Sequence, residues 1–232
     1  MTICFCHYKM FRSEAHSHSR LEGAMPPPAI ELVETRIGLP RVIAEVKGSP
    51  FWSSIDRQPT TDPAIYLTWT GLSGDQPTET RPKTEKESQG SGPGQIHGGN
   101  DKAVYVYPAF HLLRWLDELG RDAMGDRSLG ENLRIVGASE TDVHIGDRWS
   151  WGEAIVEVSR VRTPCRTLET YYGGQQRMIK RMTANRRCGW YLRVIQPGVV
   201  PTHGYITVIY HKLDAPTVAE AFATKMGISP AA

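Results

Sequence analysis

Short runs of apolar residues, separated by glycine, proline or aspartate, make up much of the chain beyond residue 29. These runs are AIYLTW (64–69), NLRIVG (132–137), AIVEVSRV (154–161), GWYLRVI (189–195) and YITVIYH (205–211), together with residues 30–46 and 103–107. Their length and their content of β-branched and aromatic residues predict β-strands. Many short strands joined by turns are typical of a barrel or a folded sheet, so the pattern predicts a mainly β fold.

A helical pattern interrupts the strands after residue 107. The segment PAFHLLRWLDELG (108–120) places its apolar side chains on one helical face, namely Leu112, Trp115, Leu116 and Leu119. Pro108 suits the first turn of this helix and Gly120 suits its C-terminal cap. A second, shorter helix is predicted at QRMIKRM (176–182).

The C-terminal segment also has helical periodicity. In TVAEAFATKMG (217–227), Thr217 and Glu220 have the spacing of a capping box, and Gly227 provides a stop. An apolar line formed by Val218, Phe222 and Met226 requires a surface to pack on. We therefore predict a barrel domain over 29–212 followed by a C-terminal helical segment over 213–232.

Two segments lack any apolar periodicity. Residues 1–28 have scattered histidine and serine and end in three prolines, which predicts a disordered leader. Residues 76–94 contain no aliphatic or aromatic side chain and predict a mobile polar loop. A loop of that length within a compact domain is uncommon and often lies near a functional site.

Composition narrows the class of protein. Hydrophobic residues make up 40% and charged residues 22% of the 232 positions, as in ordinary globular proteins. No run reaches the roughly 20 apolar residues of a membrane helix, and the N-terminus lacks the apolar core of a secretory signal. The expectation is a cytoplasmic protein with no membrane partner. The four cysteines, Cys4, Cys6, Cys165 and Cys188, are too few and too uneven for a disulfide framework.

Positive charge is concentrated in one part of the chain. The net charge is only +2, but nine of the 27 lysines and arginines lie between Arg160 and Arg193, together with a single acidic residue, Glu169. Such a run is often a solvated helix or strand face. It is equally consistent with a local anion-binding site.

Four glycine-rich or polar segments could form a binding pocket, because backbone without Cβ atoms can approach a ligand closely. They are GLSGD (71–75), HGGNDKAV (97–104), GEN (130–132) and RTPCR (162–166). Lys102 and Arg162 are the cations expected to face an anionic ligand. Cys165 lies between Arg162 and Arg166, which would favour its thiolate, although free cysteine is also a common core residue. The residues alone leave both roles of Cys165 open.

The order of these segments resembles the MOSC domain family, which is named for the C-terminal domain of molybdenum cofactor sulfurases. The resemblance covers about residues 34–226 and is strongest to the YiiM-like branch. It implies a MOSC-type β-barrel with peripheral helices and a pocket for the molybdenum cofactor, a pterin with a dithiolene and a phosphate. It also implies that Cys165 is the catalytic residue and the molybdenum ligand. Cofactor contacts then fall on Arg162, Lys102, His97, Gly98, Gly99, Asp101, Glu131 and Asn132.

The resemblance also implies an activity. YiiM-like proteins are associated with reductive removal of oxygen from N-hydroxylated bases or amines such as hydroxylaminopurine, a detoxification reaction that needs a separate electron-donor protein. An alternative is a sulfur or cofactor carrier that forms a persulfide on the cysteine without turnover of its own. A nucleic-acid-binding module built on the basic segment is the least favoured interpretation. A homodimer is compatible with all three. Phe51 and Trp52, near the expected pocket, would provide an apolar wall.

Overall fold

The computed structural model describes residues 29–76 and 98–229. The predicted leader lies outside the described residues, and so do His97 and all of the predicted polar loop except Gln76. The domain limits proposed from the sequence therefore remain predictions.

The described chain contains thirteen strands and five α-helices. The strands are β1 (Ala29–Ile37), β2 (Arg41–Val46), β3 (Ser49–Ser53), β4 (Gln58–Pro59), β5 (Ala64–Thr68), β6 (Gly71–Leu72), β7 (Val104–Pro108), β8 (Leu133–Val136), β9 (Arg148–Trp151), β10 (Ala154–Val161), β11 (Trp190–Gln196), β12 (Gly198–Pro201) and β13 (Gly204–Tyr210). The helices are α1 (Phe110–Leu119), α2 (Arg121–Met124), α3 (Arg166–Tyr171), α4 (Met178–Asn185) and α5 (Val218–Met226). A 3₁₀ turn spans Asn100–Lys102.

Seven strands close into a barrel. They follow the order β13, β9, β10, β11, β7, β8 and β1, and β1 returns to pair with β13. The closing pair is antiparallel, with Ala29 opposite Thr207 and Leu32 opposite Gly204. Only β7 and β8 run parallel, because α1 and α2 lie between them in the chain. The predicted mainly β, barrel-type fold is confirmed.

Along strand β10, buried residues alternate with partly exposed ones, because every second side chain points into the barrel. In β10 the side chains of Val156 and Val158 are fully buried while Ile155 and Glu157 are not. Trp149 and Trp190 are both fully buried and meet edge to face, with ring centroids 5.9 Å apart. Burial of such large side chains is the main stabilising contribution of the closed sheet.

Two smaller sheets flank the barrel. Strands β2 and β3 form an antiparallel hairpin. The single strand predicted over 30–46 is two strands in the structure, β1 and β2. A second sheet has the order β12, β5, β6. Ser53 at the end of β3, and Ser54, Ile55 and Arg57 after it, line a cleft that is described below.

Helix α1 forms where it was predicted, with one correction. Pro108 was expected in the first helical turn, but it is the last residue of β7, and the helix begins at Phe110. Trp115 is fully buried, whereas Leu113 on the other side is 67% exposed, so the predicted apolar face does point inward. Gly120 caps the C-terminus with φ 80°, which few other residues adopt easily.

Helix α5 confirms its prediction closely. The Thr217 side chain accepts the backbone N–H of Glu220, and the Glu220 carboxylate accepts the backbone N–H of Thr217. Val218 and Phe222 are fully buried, and Gly227 ends the helix with φ 66°. No helix in the described ranges is both long and apolar enough to cross a lipid bilayer.

Candidate functional site

Cys165 lies on the loop that connects β10 with α3. Strand β10 ends at Val161, and Cys165 precedes the first residue of α3 in an extended conformation. The loop is fixed to the barrel because the backbone N–H of Arg162 donates to the carbonyl of Gly189, at 3.3 Å. Cys165 is only partly buried and packs against the edge of the hydrophobic core. Its thiol is therefore accessible from outside the barrel.

Arg162 and Cys165 form a contact pair. Arg162 is 4% exposed, and its Nη2 lies 3.6 Å from the Sγ of Cys165. The guanidinium also lies over the ring of Tyr105, 5.6 Å from its centroid. Burial by itself would lower the pKa of Arg162, but the adjacent Cys165 and the nearby Tyr191 and Tyr105 raise it above the ordinary value. Arg162 therefore keeps a positive charge beside the sulfur.

Two clefts meet at Cys165. The narrow cleft has a volume of about 50 Å³, enough for only a few atoms. It is lined by Ser53, Ser54, Ile55, Arg57, Gly98, Lys102, Tyr105, Gly130, Asn132, Arg162, Cys165, Thr167 and Tyr191. Within the described ranges, Arg162 Nε and Thr167 Oγ1 are buried without a hydrogen-bond partner. Buried polar groups of this kind normally have a partner, so a bound ligand or a water molecule is the expected partner of both atoms.

The wide cleft has a volume of about 450 Å³, within the size range of small-molecule sites. Its lining comprises Lys102, Ile145, Ser159, Arg160, Val161, Arg162, Thr163, Cys165, Tyr191, Pro216, Ala221 and Lys225. Ala221 and Lys225 belong to α5, so the C-terminal helix forms one wall. The two clefts share Lys102, Arg162, Cys165 and Tyr191.

Lys102 is part of a cluster of positive charges. Partial burial lowers its pKa, and the nearby Arg160 and Arg162 lower it further, whereas Cys165 and Asp101 act in the opposite direction. Tyr191 lies close by, and burial raises its pKa, so its hydroxyl remains neutral. An anion between the cations would reduce their mutual repulsion, which makes this region suitable for an anionic ligand.

Asp75 holds the narrow cleft together. Its carboxylate accepts hydrogen bonds from both Nε and Nη2 of Arg57, at 2.9 and 2.8 Å, and from the Nδ2 of Asn132, at 3.0 Å. It also accepts the backbone N–H of Gly38, at 2.8 Å. Arg57 donates in turn to the carbonyl of Gly130. The GLSGD and GEN segments are thus joined through one carboxylate, and the bidentate pair orients Arg57.

The structure brings only some of the predicted site residues together. Cys165, Arg162, Lys102, Gly98 and Asn132 line the clefts, whereas Gly99, Asp101 and Glu131 do not.

Two of the residues outside the lining have other partners. Asp101 is exposed and pairs with Arg193, at 3.3 Å. Glu131 is fully buried, and its carboxylate accepts from the hydroxyl of Ser128 and the side chain of Arg134. Glu131 therefore stabilises the GEN loop, and its carboxylate lines neither cleft.

The basic segment has several uses. Arg160 and Arg162 line a cleft, but Arg187 pairs with Glu118, and Arg193 pairs with Glu157 as well as with Asp101. Cys188 is fully buried, and burial raises the pKa of its thiol well above the ordinary value, consistent with a core residue. The cluster of basic residues in the sequence therefore indicated the position of the site, but it did not show which of the arginines line it.

Several lining residues were not predicted. Phe51 and Trp52 were expected to form a wall, but the lining residues from this region are Ser53, Ser54, Ile55 and Arg57. Tyr105 and Tyr191 come from neighbouring strands, directly opposite each other in the pairing of β7 and β11. The sequence shows them as ordinary strand residues, because only the pairing of the two adjacent strands brings them together.

The structure has a closed seven-stranded barrel, with Arg162 beside the sulfur of the partly buried Cys165 and glycine-rich loops around them. These features are the ones expected of a MOSC domain. The MOSC domain family model matches residues 93–206. The chain belongs to the MOSC domain family and is YiiM-like. The family is associated with the molybdenum cofactor.

Similar proteins support this assignment. The chain is 33% identical over 164 residues to Protein YiiM of Escherichia coli, which is 70% of this chain and 66% of YiiM. It is 40% identical over 104 residues to the uncharacterized protein YflK of Bacillus subtilis, covering 45% and 46% of the two chains. The match thus spans less than two thirds of either relative.

Solved structures show the same fold. The crystal structure of Escherichia coli YiiM superposes with a TM-score of 0.60 and 24% identity, over 89% of this chain and 80% of that one. YiiM from Geobacillus stearothermophilus gives 0.60 and 23%, over 85% and 84%.

Proposed function

We propose that the protein is a molybdenum-cofactor oxidoreductase that removes oxygen from N-hydroxylated bases or related amines, with Cys165 as the metal ligand. The observation that carries the proposal is the buried guanidinium of Arg162, 3.6 Å from the Cys165 sulfur, where two clefts meet. A cysteine sulfur is a ligand suited to soft metal centres, and the adjacent cation would compensate the negative charge of a metal-bound thiolate.

The residues present fit this cofactor. Cys165 supplies a sulfur ligand, and the cations Lys102, Arg160 and Arg162 line the wide cleft, where a phosphate could be neutralised. The orphaned Nε of Arg162 and Oγ1 of Thr167 offer further hydrogen bonds within the narrow cleft. When bound, the cofactor would supply the site that accepts the substrate oxygen and exchanges electrons.

The chain's own residues would manage charge and protons. Reduction of an N–OH group to N–H consumes two electrons and two protons and releases water. The electrons would come from a separate donor protein. Lys102 is the group placed to deliver a proton, because its lowered pKa makes its ammonium a stronger acid than that of an ordinary lysine. Arg162 would keep a positive charge beside the Cys165 sulfur.

The test is to produce the protein in a host that makes the molybdenum cofactor, then to measure bound molybdenum and reduction of 6-hydroxylaminopurine with a chemical electron donor. We expect molybdenum in the wild type, and loss of both metal and activity in Cys165→Ser. Cys188→Ala is the matched control, since it removes the buried thiol and leaves both clefts intact. Unchanged molybdenum content in Cys165→Ser would refute the assignment.

A carrier function is the second candidate, because Cys165 is accessible from both clefts and its cationic surroundings would also stabilise a persulfide anion. In this case Cys165 would pass sulfur to a partner without turnover. Mass spectrometry discriminates between the two functions. A stable adduct of one sulfur atom on Cys165, in protein that has no reductase activity, favours the carrier.

A further inference from the structure

A second cluster of potential metal ligands lies apart from Cys165. It consists of His144 and Asp147, which precede β9, and His211, which directly follows β13. None of the three lines the narrow or the wide cleft. The cluster thus lies where the C-terminal segment leaves the barrel, and it is independent of the function proposed above.

The spacing of the three side chains suits a small cation. One nitrogen or oxygen from each residue lies within 4.8 Å of the other two. His211 Nδ1 is 3.3 Å from Asp147 Oδ2. A tetrahedral zinc ion with bonds of about 2.0–2.1 Å separates neighbouring ligand atoms by about 3.3 Å. His211 Nδ1 and Asp147 Oδ2 are therefore already at the separation that two ligands of one zinc ion would have.

His144 provides a second, independent indication. Its Nδ1 is buried and has no hydrogen-bond partner among the residues that the structure describes. A buried ring nitrogen without a partner is unusual, since desolvation without compensation is costly. The Nδ1 atom of His144 therefore makes no hydrogen bond to the described protein, as expected of an imidazole that binds a metal ion.

Asp147 has the support that a metal-binding carboxylate requires. It is fully buried, and backbone N–H groups donate to each of its oxygens: that of Lys212 to Oδ1, at 2.8 Å, and that of His144 to Oδ2, at 3.0 Å. Such hydrogen bonds fix the orientation of a ligand. The remaining lone pairs stay available, and the negative charge would balance a divalent ion.

We propose that His144, Asp147 and His211 bind a divalent transition metal, with zinc favoured by two imidazoles and one carboxylate. The ion would join the barrel to the start of the C-terminal segment. His144 also forms a backbone bridge with Thr217, the cap of α5, and α5 forms a wall of the wide cleft. The site would therefore stabilise the position of that wall.

The experiment uses the full chain, stripped of metal and titrated with Zn²⁺ and with Co²⁺. Because Cys4, Cys6 and Cys165 could also bind zinc, all variants carry Cys4→Ser, Cys6→Ser and Cys165→Ala. We expect one equivalent of metal, with affinity reduced about tenfold or more in His211→Ala and in His144→Ala. His203→Ala removes an exposed histidine outside the cluster and should bind like the parent.

A stability measurement separates ligation from folding. Zn²⁺ should raise the melting temperature of the parent and of His203→Ala but not that of His211→Ala, because ligands stabilise only the state that binds them. The thermal shift is measured within each variant, with and without Zn²⁺, so a loss of stability caused by removing the His211–Asp147 contact does not affect the comparison. Equal zinc affinity and an equal thermal shift in His211→Ala and the parent would overturn the proposal.

Discussion

The carboxylate of Asp75 offers the most direct test of how the narrow cleft is built. Replacing Asp75 by alanine removes four hydrogen bonds, two of them from Arg57. The side chains of Asp75 and Arg57 are 3% and 10% exposed, so the arginine would be left buried without its counter-ion. Breaking a buried ion pair by removing one partner costs about 3–5 kcal/mol. We expect a loss of unfolding free energy in that range.

Urea denaturation followed by tryptophan fluorescence would measure the change. Asp214→Ala is the matched control, because Asp214 is exposed and pairs with no cation in the described part of the chain. It should change the unfolding free energy by less than about 0.5 kcal/mol. The double variant Asp75→Ala, Arg57→Met should recover part of the loss, since it removes the unpaired charge as well. A single Asp75→Ala variant within about 1 kcal/mol of wild type would refute the argument that this carboxylate organises the cleft.

Further predictions concern the thiols, Lys102 and the C-terminal helix. Iodoacetamide should alkylate Cys165 in the native protein but not Cys188, because Cys188 is fully buried and burial raises the pKa of its thiol. Peptide mass mapping measures the labelling of each cysteine. Equal labelling of the two would contradict the prediction. The lowered pKa of Lys102 means that the folded protein binds this proton less tightly than the unfolded chain does. The contribution of Lys102 to stability should thus rise as the pH increases from its folded pKa toward 10.5. Comparing denaturation of wild type and Lys102→Met across that range measures it, and a difference that is constant with pH would exclude it. Phe222→Ala should cost about 3–5 kcal/mol because the ring is fully buried; a melting temperature close to that of wild type would show that α5 is not anchored through it.

The sequence determined the elements whose formation depends on local chemistry. The run AIVEVSRV coincides with β10, and the capping box of Thr217 and Glu220 begins α5 as predicted. Both signals concern residues a few positions apart, so no distant contact is needed to interpret them. Pro108 was misread because its neighbours in the chain suit a helix, while its pairing with Ile135 on β8 makes it the end of a strand.

The site was determined only in part by the sequence. The order of the glycine-rich segments and the RTPCR turn led to Cys165, Arg162, Lys102, Gly98 and Asn132, all of which line the clefts. These residues lie in motifs that the sequence displays directly.

Tertiary structure decided the rest. Arg57 enters the site because Asp75 holds it, and Tyr105 and Tyr191 do so because β7 pairs with β11. The wide cleft exists because α5 packs against the barrel and places Lys225 near the cysteine loop. Closure of β1 onto β13 brings distant segments together, and such long-range geometry leaves no periodic signal along the chain.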